Sequence, residues 1–390
     1  MTSAASSHLA ETNSNASHEL DIVHVVRQFK PMVGGLEDVV FNLAKHQLDR
    51  FRSVRVVTLD RLFNAPDKKL PEHEVIEGIE VTRIPFSGSK RYPLAPRVFQ
   101  AIGGAHLVHV HAIDFFFDAL ALGRWVHGRP LVATTHGGFF HTQKYAALKK
   151  IWFNSLTRLS VSQYNGIACC GESDFALFRP LAPAKCQLIE NGVDLKKYGN
   201  AASEISVKRL VTVGRFSVNK RLDRVLNAVK ALRAQDANWQ LDIVGSPSDL
   251  SVNDLKKLIS ERGLSGNVQV HTGLTDLQVR GVFKNASLYL SASEYEGFGL
   301  VLIEALSAGL LPIVQANDAF QSLAKHHTTV YLTDFADTEG AALAISSAFD
   351  RLQKRPELRD AGMNSAKRHG WETVSTQYEE FYRTALGSTE

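Results

Sequence analysis

The stretch "ASLYLSASEYEGFGLVLIEALSAGLLPIVQ", residues 286–315, decides the fold. It opens on an apolar run at 286–292 that suits a strand buried on both faces, and passes through a loop carrying Glu294, Glu296, Gly297 and Gly299. A helical pattern follows from about Leu300, and a second strand-like run, "LLPIVQ", fills 310–315. Strand, helix and strand in so short a span make the βαβ unit of a parallel sheet. One residue sits awkwardly in it. Glu304 lies among Ala, Leu and Ile, where a carboxylate without a partner is costly. Either another side chain pairs with it or it faces a ligand.

Outward from this unit, the same alternation runs through the second half of the chain, with strand-like runs at 208–214, 239–245 and 267–273, each followed by a helical pattern. The first half repeats it: "DIVHVV" at 21–26, "VRVVTL" at 54–59, "IEVTRI" at 79–84, "HLVHV" at 106–110, "PLVATT" at 130–135 and "GIACC" at 166–170 read as buried strands. Leu36 to Leu48 and Tyr145 to Leu159 carry the helical period. Between the two series, 191–207 is polar and turn-rich. The pattern predicts an α/β protein with two Rossmann-like domains, each a parallel sheet, at 20–200 and 201–370. Residues 371–390 form a helix expected to pack back on the first domain. A chain of 390 residues exceeds the size at which one core keeps growing, which agrees with two domains.

Composition excludes several classes of function. The net charge is +4, with 23 basic against 18 acidic residues through Asn200 and 21 against 22 beyond it. That is too small an excess for nucleic-acid binding, though it suits an anionic membrane surface or a phosphorylated substrate. Cys169, Cys170 and Cys186 support neither a disulfide framework nor a zinc site, and fit a reducing compartment. Residues 1–19, rich in Ser, Ala, Asn and Thr, lack the pattern of a signal peptide and read as a disordered tail. A two-lobed solute receptor would share the domain layout but would carry an export signal. No apolar run approaches the length a spanning helix needs.

Ligands of open α/β sheets bind at the carboxyl ends of strands, so candidate residues should follow strands. After 21–26 come Gly34 and Gly35, just before a helix, where their amides can approach an anion or simply form a tight turn. The spacing is not the G-x-G-x-x-G of a dinucleotide site. After 208–214, Arg215 and Lys220 open onto a helix starting near Arg221, a suitable seat for a diphosphate unless the pair is merely solvated. No D-x-D pair occurs, so paired aspartates holding a metal are not suggested. After 286–292, "EGFG" forms a turn with free amides, and Glu304 can accept two hydroxyl hydrogen bonds from a sugar or ribose. His109 and His111 alternate at a strand end, a pattern read as one side chain toward the ligand and one toward the sheet; a packed or capping histidine is the other reading.

The motif "EGFGLVLIE", with "GRFSVNK" and "IENGVD" before it, resembles the retaining GT-B glycosyltransferases of family four, in the family's order. In the first half, "HVVRQFKPMVGGLEDVVFNLA", "VVTLDRLF", "SKRYPLAP", "HVHAIDFFFD", "THGGFFHT" and "IWFNSLTRLS" resemble the bacterial mannosyltransferases that add α-mannose to polyprenyl-diphosphate-linked cellobiose in acetan- and xanthan-type exopolysaccharide assembly. The likeness spans 21–385.

That resemblance implies a GT-B fold and a GDP-mannose donor, a polyprenyl-diphosphate-linked oligosaccharide acceptor, an α-1,3 linkage, retention of configuration and no metal cofactor. A family-four enzyme with another nucleotide sugar or acceptor is the alternative. It implies that Glu296 touches the donor hexose, Glu304 the ribose, amides of Gly297, Phe298, Gly299 and Leu300 the sugar and phosphate, and Arg215 and Lys220 the diphosphate. Gly34 and Gly35 join the donor side. His111 would reach the transferred sugar, with His136, Gly137 and Asn191 on the acceptor side. Two departures stand beside these positions: Glu190-Asn191-Gly192 where the family often has Pro-Asn-Gly, and Lys220-Arg221 where it often has Lys-Gly. With no carboxylate placed as a covalent nucleophile, the expected mechanism is front-face displacement, the departing diphosphate helping to deprotonate the acceptor. A lipid-linked acceptor implies a cytoplasmic protein peripheral on the inner membrane. The basic, aromatic segment 143–159 reads either as an interfacial helix or as a helix packed on the sheet.

Overall fold

Runs such as "IVHV" within Asp21–Val25 and "LVHVH" carry apolar or neutral side chains on both faces, and in the computed structural model, which describes residues 18–90, 92–137 and 153–387, they lie at the centre of a sheet. A strand covered by helices on both sides needs such a run rather than an alternation. The chain divides into two units. One comprises the chain up to Gly192 together with everything from Trp371 onward, and the other is Val193–Gly370.

In the first unit, eight strands form one sheet: β1 (Asp21–Val25), β2 (Ser53–Leu59), β3 (His73–Ile76), β4 (Ile79–Ile84), β5 (Leu107–His111), β6 (Leu131–Thr134), β7 (Gly166–Cys169) and β8 (Cys186–Leu188). Their order is β8-β7-β6-β5-β1-β2-β4-β3, parallel throughout except for the antiparallel edge strand β3. Helix α1 (Gly35–Gln47) follows β1. Winding runs outward from β1 through β2, then returns to β5 on the other side. The switch point therefore lies between β1 and β5.

The second unit repeats the plan with β9 (Arg209–Val213), β10 (Gln240–Gly245), β11 (Val268–Thr272), β12 (Leu288–Ser291), β13 (Leu311–Gln315) and β14 (Tyr331–Thr333). Their order, β11-β10-β9-β12-β13-β14, is all parallel and is that of a dinucleotide-binding fold. Helix α2 (Leu222–Gln235) follows β9, and α3 (Leu300–Ala308) joins β12 to β13. The opening stretch of sequence is thus the βαβ unit on one side of the second switch point.

Several sequence expectations need correction. The boundary falls at Gly192/Val193 rather than at 200, because the polar stretch contains a short helix, Leu195–Tyr198, whose Tyr198 packs edge-on against Phe283 of the second unit with ring centroids 5.0 Å apart. Strands β3, β8 and β14 escaped sequence reading because each has only three or four residues and an exposed side. His109 and His111 share one face of β5, as residues two apart on a strand must, with ring centroids 4.0 Å apart. The tail expected at 1–19 lies, up to residue 17, outside the described residues. So does 143–152 of the basic aromatic segment, whose described remainder is a π-type turn, Phe153–Thr157, leading into helix Arg158–Gln163.

Helix α4 (Trp371–Leu386) belongs to the first unit although the whole second unit precedes it. Arg50 pairs with Glu379 at 3.0 Å, and Asn165 donates to the Ala385 carbonyl at 2.9 Å. The Phe381 ring occupies the place a Cβ on Gly166 would take, its Cε2 only 2.6 Å from that position. Only glycine lets the helix sit so close to β7. Phe381→Ala, which empties this contact, is expected to destabilise the first unit by about 3–5 kcal/mol, read as a lower midpoint in urea denaturation.

Candidate active site

Two loops meet at the second switch point, one after β9 and one after β12. Asn219 ties them: Glu294 donates its N–H to the Asn219 carbonyl at 3.0 Å, Tyr295 donates its N–H to Asn219 Oδ1 at 3.1 Å, and Asn219 Nδ2 donates to the Tyr295 carbonyl at 2.8 Å. This clamp sets Lys220 Nζ 2.6 Å from Glu296 Oε1, both side chains about four-fifths buried. Lys220 also lies over Gly214, its Cε 3.1 Å from where a Cβ would be. Arg215 lines the same narrow cleft and is exposed, with no ion pair among the described residues.

Arg221, where the resemblance leads one to expect glycine, takes the left-handed backbone that glycine favours, with φ 46°. Its guanidinium holds that conformation through Asp223 at 2.8 Å and through Glu294. The departure is therefore accommodated by side-chain pairing.

The puzzle of Glu304 resolves to a named partner. Lys197 Nζ lies 3.5 Å from its carboxylate and 3.2 Å from Asp276. Burial alone would lower the Lys197 ammonium, but the adjacent Glu304, Tyr198 and Asp276 hold it above its ordinary range. Between Glu296 and Glu304, the N–H groups of Gly297, Phe298, Gly299 and Leu300 donate no hydrogen bond among the described residues. Gly299 caps α3 with φ 103°, and a side chain there would press on Phe320 and Leu323 at 3.0 and 3.1 Å. Free amides at the start of a nine-residue helix form a natural seat for anionic or hydroxyl oxygen.

In the first unit, the switch point holds a cluster of histidines. His24 on β1 lies beside His109 in register on β5. His24 Nδ1 is 2.9 Å from His111 Nε2, and His111 Nδ1 is 2.8 Å from His136 Nε2. His24 Nε2 meets the side chain of Gln47, and His109 meets Tyr382 and Thr134. His111 is fully buried with both ring nitrogens engaged, so the half-buried member of the chain is His136. His136 and Gly137 both have left-handed backbones, φ 54° and 69°, and Asp174 fixes the turn by accepting from the Gly137 N–H at 2.8 Å and from the Thr135 hydroxyl. Gly34 stands in extended conformation as the cap of α1 and Gly35 begins the helix, whose first turn already carries Glu37 and Asp38. Asn191 is buried with its Oδ1 unpartnered, and Gly192 lies so close to Trp371 that a Cβ would clash at 2.5 Å.

His24, His109 and His111 are also close enough together to hold a metal ion. All six of their ring nitrogens are already taken by hydrogen bonds, so the donor set fits a hydrogen-bonded chain better than a metal site.

Comparison with known proteins agrees with this layout. The family described as Glycosyltransferase Family 4 matches residues 33–197, and Glycosyl transferases group 1 matches 202–367. A GDP-mannose:cellobiosyl-diphosphopolyprenol alpha-mannosyltransferase of Xanthomonas campestris is 40% identical, covering 95% of this chain and 98% of its own length. The protein is a family 4 GT-B glycosyltransferase. Its counterpart by name in Komagataeibacter xylinus is 39% identical over 94% of each chain. Among solved structures, this glycosyltransferase shares its fold with HepE of Anabaena in complex with UDP and glucose (TM-score 0.72, 19% identity) and with a sucrose-phosphate synthase of Thermosynechococcus elongatus (0.74, 18%); it covers all of both, with 95% of its own length.

Sequence reading of the glycosyltransferase missed Lys197, Asn219, Gln47, Tyr378 and Tyr382. Each acts through a partner 23 to 335 residues away, and only the G-R-F-S-V-N-K motif containing Asn219 carried a local signal.

Burial pushes the His24 imidazole down to about 4 and holds His109 and His111 well below their ordinary value, the neighbouring imidazoles adding to the effect for the latter two. All three are neutral in the folded protein near pH 7, and they begin to protonate in the unfolded chain near 6.5. As pH falls from 6.5 toward 4 the unfolded state takes up protons that the folded state refuses, so stability falls, by up to about 1.4 kcal/mol per pH unit for each. Calorimetric unfolding at pH 5 should therefore show proton uptake and a lower Tm than at pH 7.

Proposed function

We propose that the protein transfers mannose from GDP-mannose to cellobiosyl diphosphopolyprenol, with retention and an α-1,3 linkage, as a step of exopolysaccharide assembly. The observation that carries this reading is the 40% identity, over nearly the whole of both chains, to enzymes with that donor and acceptor in their name. The arrangement after β9 and β12 supplies chemistry to match. Lys220 and Glu296 satisfy each other at 2.6 Å. A bound donor would exchange that pair for two others, its diphosphate taking Lys220 and Arg215 and its hexose hydroxyls taking Glu296.

Charge on the leaving diphosphate is then met by two cations and by the amides at the start of α3, an arrangement that suits front-face displacement without a metal. A diphosphate oxygen, in that mechanism, takes the proton of the attacking acceptor hydroxyl as the glycosidic bond forms and the bond to phosphate breaks. Glu304, already half-buried beside Lys197, would accept both ribose hydroxyls. His136, at the carboxyl end of β6, is the half-buried member of the histidine chain and so the one open to a sugar hydroxyl, with His111 behind it.

An acceptor with a polyprenyl tail puts the reaction at a bilayer, and one surface of the first unit suits this. No helix among the described residues is long and apolar enough to cross a membrane. Helix Phe115–Leu122 packs on Arg158–Gln163, and beside them Trp125 is 87% exposed, with Val126, Leu122 and Leu159 also exposed. Arg124, Arg129, Arg158 and Lys185 accompany them, and no Asp or Glu occurs in 119–137 or 155–171. Exposed tryptophan beside basic residues, in segments that carry no acid, is the composition of a contact with anionic lipid.

Incubation with GDP-mannose, UDP-sugars and lipid-linked cellobiose should give a mannosylated lipid with GDP-mannose alone; product from a UDP-sugar instead would overturn the donor. Lys220→Ala should lower kcat about a hundred- to a thousand-fold with circular dichroism unchanged, and an unaltered kcat would remove Lys220 from the mechanism.

For the membrane surface, the protein should sediment with anionic vesicles and not with zwitterionic ones. Trp125→Ala combined with Val126→Ser should weaken that binding about tenfold. Equal binding by the double variant would place the contact elsewhere.

A further inference from the structure

Eight side chains of the first unit form one unbroken line of hydrogen bonds. Tyr378 OH lies 3.0 Å from Thr134 Oγ1, which lies 2.7 Å from His109 Nε2. His109 Nδ1 lies 2.6 Å from Tyr382 OH, and Tyr382 lies 3.2 Å from the Gln47 amide. That amide is 2.8 Å from His24 Nε2, and the line continues through His111 to His136 in steps of 2.9 and 2.8 Å. Every member but His136 is fully buried.

When all members are neutral, each link uses one proton, and every hydroxyl and imidazole has one to give. Run in a single direction the line has two senses, and an arrangement in which Thr134 or Tyr382 accepts from both sides strands that residue's own buried proton instead. If the protons point toward Tyr378, His109 donates to Thr134, Thr134 donates to Tyr378, and the Tyr378 proton is left over. Among the described residues Tyr378 OH has no hydrogen-bond partner except Thr134, so a buried O–H would be stranded. If the protons point the other way, Tyr378 donates to Thr134, Thr134 to His109 Nε2, His109 Nδ1–H to Tyr382, and Tyr382 to Gln47. Gln47 then donates to His24 Nε2, His24 Nδ1–H to His111, and His111 Nδ1–H to His136 Nε2. Nothing buried is stranded along the line, and the leftover proton sits on Nδ1 of His136, at the half-buried end.

Leaving a buried donor unmade costs more than leaving one where water or ligand can take it. The structure draws Gln47 with Oε1 toward His24 and Nε2 toward Tyr382; turning the planar amide over keeps its shape and supplies the second sense. Its second N–H is spare in either orientation.

We infer that the buried hydroxyl of Tyr378 sets the direction of this line, and that His136 consequently presents a fixed, neutral Nδ1–H donor to a hydroxyl oxygen of the sugar. His136 is then a group that orients a bound sugar and not one that removes a proton from it. Gln47, Tyr382, Thr134 and Tyr378 are positioning residues that act through it. The inference rests on the reading of His136 as a sugar contact, while the direction of the line stands independently of which sugar is bound.

The test is the imidazole spectrum of the 15N-labelled full chain near pH 7, without nucleotide sugar, in which long-range proton–nitrogen correlations report which nitrogen carries the proton. His24, His109, His111 and His136 should all be Nδ1–H tautomers. Nε2–H on His24, His111 and His136 would overturn the inference.

Gln47→Glu gives a second reading. A carboxylate accepts from both Tyr382 and His24, so His24, His111 and His136 should switch to Nε2–H while His109 keeps Nδ1–H. Activity should then drop about tenfold in kcat/KM with circular dichroism retained. Tautomers unchanged by the substitution would also overturn it, and if this variant does not fold, the wild-type spectrum decides alone. Failure to transfer mannose with the tautomers as expected would count against the proposed function only.

Discussion

A parallel sheet that winds first to one side and then to the other must part its connecting loops where the direction reverses, and that gap is the constraint on which this protein is built. Both units carry it, between β1 and β5 and between β9 and β12. Because the strands beside each gap are parallel, their carboxyl ends open on the same edge, and the chain places its polar chemistry there in both. The apolar remainder of each βαβ unit is scaffold. In the second unit the scaffold includes the α3 face bearing Leu302, Ile303 and Leu306, which leaves Glu304 turned toward Lys197.

The ion pair of Lys220 and Glu296 shows how that gap is used. A pair of this kind contributes little to stability when partly open to solvent, on the order of 0–1 kcal/mol. Its upkeep is nonetheless elaborate: Asn219 bonds three times across the loops, and Arg221 sits in an unfavourable backbone region that Asp223 and Glu294 support. An arrangement held so closely for so little stability suits the proposed role, in which a bound donor separates the two charges.

Much of this was legible in the sequence, for a physical reason. The βαβ rhythm is a local property, since strand and helix periods are set by neighbouring residues, and the loops after β9 and β12 carried their acids, cations and glycines in one short motif each. What was hidden is whatever depends on residues meeting from far apart. Glu304 advertised a missing partner, but nothing nearby in sequence named Lys197. His109 and His111 were visible as a pair, yet their common face follows from strand geometry alone, and Tyr382, which meets His109, and Gln47, which meets His24, come from two helices separated by most of the chain. The boundary at Gly192 was blurred because Leu195–Tyr198 lies within a polar stretch and is only one turn long.

The last helix has a consequence for how the molecule is made. The second unit is closed at its neck, where Val193 bridges to Gly370 and donates its N–H to the His369 carbonyl at 2.8 Å, so it enters and leaves the chain at one point, like an insertion. The first unit is accordingly begun first on the ribosome and completed last. Until Trp371–Leu386 has emerged, Gly166 has no Phe381 against it, Arg50 has no Glu379, and His109 has neither tyrosine beside it. A chain stopped short of its final twenty residues would therefore leave a finished C-terminal unit attached to an N-terminal sheet with one face bare.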